Sequence, residues 1–191
     1  MLPKVHLWAD IFVREDIELD PTPGKMTICH GNGCASLSHV GLTAEQWEEV
    51  RRLFHPLADS AQEERERLRS AIARMEKYVG EVTGTWRDKG GTFNGGEGQM
   101  DCIDESTNTT LYLKMFEKYG LMRHHRVADR QTRGWFVGGW PHTTAVIREE
   151  RAPASRQGDG YWAVDSWFLD NGEPPFILPL EVWKSGWKPV R

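Results

Sequence analysis

After Gly120 the chain changes character, and that change sets its fold class. Before it, apolar residues recur at helical spacing. After it, WFVGGW, HTTAVIREE and YWAVDSWFL are rich in β-branched and aromatic residues, with polar loops between them. GDG ahead of Tyr161 reads as a tight turn. Helices first and strands last predict an α+β fold with an antiparallel sheet, not alternating βαβ units. The proline-interrupted tail, PPFILPLEVWKSGW, reads as an edge segment followed by a short helix.

Upstream, VHLWADIFV is strand-like and DPTPGK is a turn. KMTICHGNGCASLSHVGL gives two short extended runs around GNG, a hairpin signal. Thr43 and Gln46 have capping-box spacing. Trp47, Val50 and Phe54 then follow at helical intervals until Pro56 ends the run. A longer helix is expected over roughly 60–80, with Leu68, Ile72, Met75 and Val79 on its apolar stripe. Its remaining faces, EERERLR and ARMEK, read as solvated surface. A chain of 191 residues fits one domain with a real core. Residues 1–82 form a hairpin and helical segment of that domain, and 83–191 form its main core.

The composition narrows the functional classes. Net charge is -4 with both signs mixed along the chain. No basic patch and no aromatic-basic ladder points to nucleic acid. No run of ~18 apolar residues is present to span a membrane. MLPKVHLWADIF lacks a charged segment followed by an apolar one. The expected location is therefore cytoplasmic or, where a signal has been trimmed, periplasmic or secreted. Nine tryptophans are unusual. They serve packing first, and a cleft walled by indole rings for a peptide or sugar second.

Residues 83–98 hold six glycines and lead straight to Cys102. The spacing is not a dinucleotide fingerprint. Cys102 opens a predicted helix that stops at Gly120. A helix N-terminus favours thiolate, the form of cysteine that attacks. His142 opens the strand HTTAVIRE, and Asp165 lies inside the apolar run YWAVDSWF. Each residue alone has an ordinary structural explanation. A carboxylate in an apolar strand, however, needs a partner, and a histidine on the neighbouring strand supplies one. The expected geometry is a thiol against one His142 nitrogen and Asp165 against the other.

GQMDCIDESTNTTLYLKMFEKYG, then WPHTTAVI, then YWAVDSWF resembles the core of the bacterial transglutaminase-like cysteine peptidases, a branch of the papain-like superfamily. The likeness covers roughly residues 84–170. It implies a nucleophile at a helix N-terminus packed on an antiparallel sheet. It makes Cys102 the nucleophile, His142 the general base and acid, and Asp165 the residue orienting His142. The reaction implied is amide hydrolysis or acyl transfer through a thioester, on a peptide or protein substrate. The Cys102 N–H is the natural oxyanion donor, Gln99 a second candidate, and Trp86 or Trp140 a cleft wall. No cofactor is implied as essential. Some relatives bind calcium beside the cysteine, so Asp101, Asp104 and Glu105 admit that reading alongside a simpler one as partners of the helix dipole. Acids so placed also raise the thiol pKa. The tract ESTNTT departs from expectation, being very polar for a buried helix, though its hydroxyls can bond back to carbonyls.

Cys29 and Cys34 flank the GNG turn. A disulfide is the first reading, reduced structural cysteines the second, and zinc with His30 and His39 the third. Two functional classes stand: a thiol-dependent hydrolase or acyl transferase, and a catalytically silent module that binds a peptide or protein in a Trp-lined groove.

Overall fold

The computed structural model describes residues 16–92, 96–134, 141–152 and 160–190. The strand-like VHLWADIFV, the segment WFVGGW and Trp140 lie outside the described residues. The remainder is an α+β fold. Strands β1 (Met26–His30) and β2 (Ser36–Val40) form the antiparallel hairpin around GNG, with Cys29 opposite Leu37. Helix α1 (Ala44–Arg52) starts with the capping box between Thr43 and Gln46. Helix α2 (Ala61–Thr83) is capped by the Ser60 hydroxyl and stopped by Gly84 at φ 83°. Helix α3 (Cys102–Lys118) follows the glycine-rich loop.

Among the described residues the second sheet is antiparallel, in the order β3-β4-β5-β6: His125–Arg133, His142–Glu149, Tyr161–Asp165 and Phe176–Pro179. A short helix, α4 (Leu180–Lys184), closes the chain as the tail pattern predicts. Strand β3 was not legible beforehand. HRVADRQTR carries few apolar residues because it is an edge strand with one face wet, and its register slips between Ala128 and Gln131.

Alternation along the strands divides the core. Ala145, Ile147 and Val164 pack against Ile72, Met75, Val79, Leu113 and Phe116 of α2 and α3, and Met26 and Ile28 of the hairpin join the same core. On the other face Val146 and Ala163 meet Leu180 and Trp183 of α4. The glycine-rich loop uses its glycines for close backbone approach. At Gly98, φ is 80° and a Cβ would lie 2.3 Å from the Gly84 carbonyl oxygen.

The charged faces of α2 are not all solvated. Glu64 and Glu76 are 1% and 4% exposed. Glu64 accepts from the backbone N–H groups of Arg123, His124 and His125 at 2.5, 3.0 and 3.0 Å, and from His125 Nδ1 at 2.9 Å. Arg65 Nη1 lies 3.2 Å from His125 Nε2. Arginine only donates, so Nε2 accepts and the ring proton sits on Nδ1, facing Glu64. One buried carboxylate therefore satisfies the turn that leads into β3.

Candidate active site

Helix α3 begins at Cys102 because Asp101 caps it. Asp101 Oδ1 accepts from the N–H groups of Ile103 and Asp104, both at 3.0 Å, and Asp104 Oδ2 returns a bond to the Asp101 N–H. The same two acids hold the hairpin. Successive N–H groups of Asn32, Gly33 and Cys34 point at Asp104 Oδ2, Asp101 Oδ2 and Asp104 Oδ1, at 2.8, 2.9 and 2.6 Å. The loop curls to do this, with positive φ from Gly31 through Cys34. It is a backbone nest filled by the carboxylates of the neighbouring helix end.

Cys29 and Cys34 lie at disulfide distance within this loop, both buried. Asp104 approaches the pair, the three ligand atoms lying within 4.8 Å of one another. His30 instead meets Ser38 at 2.9 Å, and His39 lies 3.4 Å from Thr27 Oγ1. The oxygens of Asp101 and Asp104 face N–H donors, and Glu105 is buried among Glu76, Asp88 and Asp165. The three acids considered for calcium thus do not converge on one point.

The polar tract of α3 has partners for a helix buried on every side. Ser106 and Thr107 bond back to the Ile103 carbonyl, and Thr110 to that of Ser106. Asn108 pairs with both backbone groups of Cys29, at 2.8 and 2.9 Å, as a strand neighbour would. Thr109 meets the Ser166 hydroxyl at 3.3 Å.

Cys102, His142 and Asp165 come together where α3 meets the start of β4. His142 Nε2 donates to Asp165 Oδ2 at 2.7 Å, the contact expected of an orienting carboxylate. The other ring nitrogen, Nδ1, is buried and makes no hydrogen bond among the described residues. The expected thiol–imidazole hydrogen bond is not formed. Cys102 Sγ instead lies 4.0 Å from the Pro141 carbonyl oxygen, and the Thr143 N–H also reaches the sulfur. The imidazole ring is enclosed by Trp167, Phe168 and Trp183, with ring centroids 4.8, 5.1 and 5.4 Å away.

Burial pushes the Cys102 thiol up to about 12, with the Asp101 and Asp165 charges adding to it and the Thr143 N–H opposing. The resting sulfur is therefore a thiol. Iodoacetamide should modify Cys102 slowly up to about pH 8.5 and faster only as pH approaches the raised value. Mass spectrometry of the Cys102 peptide across pH reads this directly. A midpoint below that of a free thiol would mean a preformed thiolate–imidazolium pair.

Gln99 is engaged elsewhere. Its Nε2 donates to the Arg87 carbonyl at 2.7 Å and its Oε1 faces the Lys89 N–H, so its amide braces the glycine-rich loop. Trp86 is 58% exposed with Arg87 over its ring. Sequence reasoning places Trp183 only among the tryptophans that pack or wall a cleft and misses that its Nε1–H donates to Asp165 Oδ2 at 2.7 Å. Its only signal was an indole on an amphipathic tail. A cleft lined by Val127, Gln131, Arg148, Tyr161 and Lys184 runs along β3 and α4 and includes none of the three candidates. Compared with known proteins, the chain matches no protein-family model, no curated sequence and no solved structure.

Proposed function

We propose that the protein is a thiol-dependent hydrolase or acyl transferase acting on peptide or protein amides, built on a papain/transglutaminase-like core. The observation that carries this reading is the pairing of buried His142 with buried Asp165 while Nδ1 stays unpartnered beside the Cys102 contact. A histidine held through Nε2, with Nδ1 open as an acceptor, is poised to take a proton from a thiol. Sγ attacks the acyl carbon as its proton passes to Nδ1. His142 then returns that proton to the leaving amine, and a thioester remains for water or a second amine to resolve. Because the thiol starts protonated, proton transfer accompanies attack. Asp101 takes the Ile103 and Asp104 N–H groups, so the Cys102 N–H, which no helix carbonyl can reach, is the remaining first-turn donor for the oxyanion. The hairpin cysteines at bonding distance favour an oxidising compartment such as the periplasm.

p-Nitrophenyl acetate, a generic acyl donor, tests the chemistry. A burst of nitrophenol with one acetyl group on Cys102, released by hydroxylamine, is expected. Cys102→Ala should abolish the burst, and His142→Ala should slow it by roughly 10²–10⁴. The deep burial of the thiol favours a second reading, a silent module that binds a peptide. No acetylation of Cys102 in folded protein would select it.

A further inference from the structure

We propose that Trp183 is a positioning residue of this site, an N–H donor that fixes the Asp165 carboxylate and moderates its pull on His142. The proposal rests on the catalytic reading of Cys102, His142 and Asp165, and deepens it. Among the described residues, three donors meet the two oxygens of Asp165. Oδ2 accepts from His142 Nε2 and from Trp183 Nε1, each at 2.7 Å, and Oδ1 accepts from the Trp167 N–H at 3.2 Å. Two of these donors come from β4 and from the chain just after Asp165. The third comes from α4, and nothing about a five-residue surface helix demands a buried indole at 0% exposure.

The indole is itself held in place. The Arg133 guanidinium lies over its ring, 4.4 Å from the centroid. Arg133 also donates to the Trp183 carbonyl, and to that of Trp187 at 2.7 Å. A cation above the ring draws electron density from it and strengthens the N–H as a donor. The Trp183 ring is also one wall of the His142 enclosure. One side chain therefore sets both the rotamer of the carboxylate and the space for the imidazole.

The consequence is chemical as well as spatial. Two donors on one carboxylate oxygen share its charge. Without the indole N–H, Asp165 Oδ2 binds the imidazolium more strongly, and His142 becomes a stronger base and a poorer acid. A residue that merely fills space would not move that balance.

The test follows the His142 ring by NMR across pH in wild type and in Trp183→Phe, which keeps an aromatic ring and removes the N–H. The His142 midpoint should rise by about half a pH unit or more, roughly a three- to five-fold gain in proton affinity, which is the scale of one neutral hydrogen bond. An unchanged or lower midpoint in folded Trp183→Phe would overturn the proposal. Should that variant fail to fold, the unmodified protein answers. The Trp183 indole N–H resonance should shift with the same midpoint as His142, and an indole signal indifferent to that titration would equally overturn it. Neither readout requires turnover, so absence of Cys102 acetylation would count against the catalytic reading alone. Where acetylation occurs, Trp183→Phe should move the pH dependence of its rate upward together with the His142 midpoint and leave the half-saturating acyl donor concentration unchanged.

Discussion

Raising pH from about 5 to about 8 should destabilise this protein by on the order of 3 kcal/mol, the reverse of ordinary acid denaturation. The source is a set of acids buried beneath the start of α3. Burial raises Glu76 to about 7, with the Asp88 charge adding to it against donors from Gly172 and Ser166. Burial likewise raises Asp88 to about 6. Glu105 stands well above the usual carboxylate range, pushed by burial and by Glu76, Asp88, Asp104 and Asp165. Asp104 reaches about 7, burial and Asp101 outweighing its backbone donors. Among the described residues, Glu76 Oε1 and Asp88 Oδ2 have no hydrogen-bond partner. In the unfolded chain these acids lose their protons near 4, whereas the native state keeps them until about 6–7. Over that interval the native state binds more protons, so stability falls as pH rises. It is fullest below the unfolded values. Glu64, which is held below its ordinary 4.5, works in the other direction only in more acid solution.

Urea unfolding at the two pH values measures the effect. Glu76→Gln keeps an acceptor for the Gly172 N–H, 2.9 Å from Oε2, and removes the ionisation. It should flatten the dependence and exceed wild-type stability at about pH 8 by ~2 kcal/mol. A slope unchanged in Glu76→Gln would place its origin elsewhere.

Glu64→Ala should have the largest destabilising effect of any single change outside the apolar core, about 3–5 kcal/mol, with a fall in Tm of roughly 10 °C. The variant orphans three backbone N–H groups at residues 123–125, that of His125 buried, and the His125 ring. It also loosens the His125 ring that accepts from Arg65, a side chain of the same helix that stacks over Trp162 at 3.6 Å and pairs with Glu149. Glu64→Gln retains one acceptor and should cost less than half as much. Thermal unfolding of the two variants separates these effects, and near-equal losses would show that shape, not the carboxylate, matters at this position.

Short-range patterns were the readable part of this fold. GNG gave away the hairpin, Thr43 and Gln46 the start of α1, and proline and glycine the ends of helices. Asp165 was readable because a carboxylate in YWAVDSWF conflicts with its surroundings, and the conflict resolves through His142. Features set by distant partners were not readable. Glu64 and Glu76 sit in charged runs that look solvated, and only residues 123–125 and Gly172 explain their burial. Likewise ESTNTT resembles a poor helix until Asn108 is seen holding Cys29 and Asp104 holding the GNG loop. The thiol's contacts with Pro141 and Thr143, in place of the ring, are backbone details that no side-chain pattern encodes.

The grip of α3 on the hairpin also bears on how the molecule is assembled. Asp101, Asp104 and Asn108 bind partners 68 to 79 residues earlier in the chain. Serine, threonine, asparagine and aspartate are mediocre helix formers, so this stretch has little helical tendency of its own. Its helix becomes worth forming only when the hairpin is there to receive its carboxylates. Contacts of such long reach make for slow folding. Synthesis, however, releases the hairpin and α2 before residue 102 emerges. The first half of the chain thus acts as a template, and the Cys102 end of α3 is shaped against a surface that already exists.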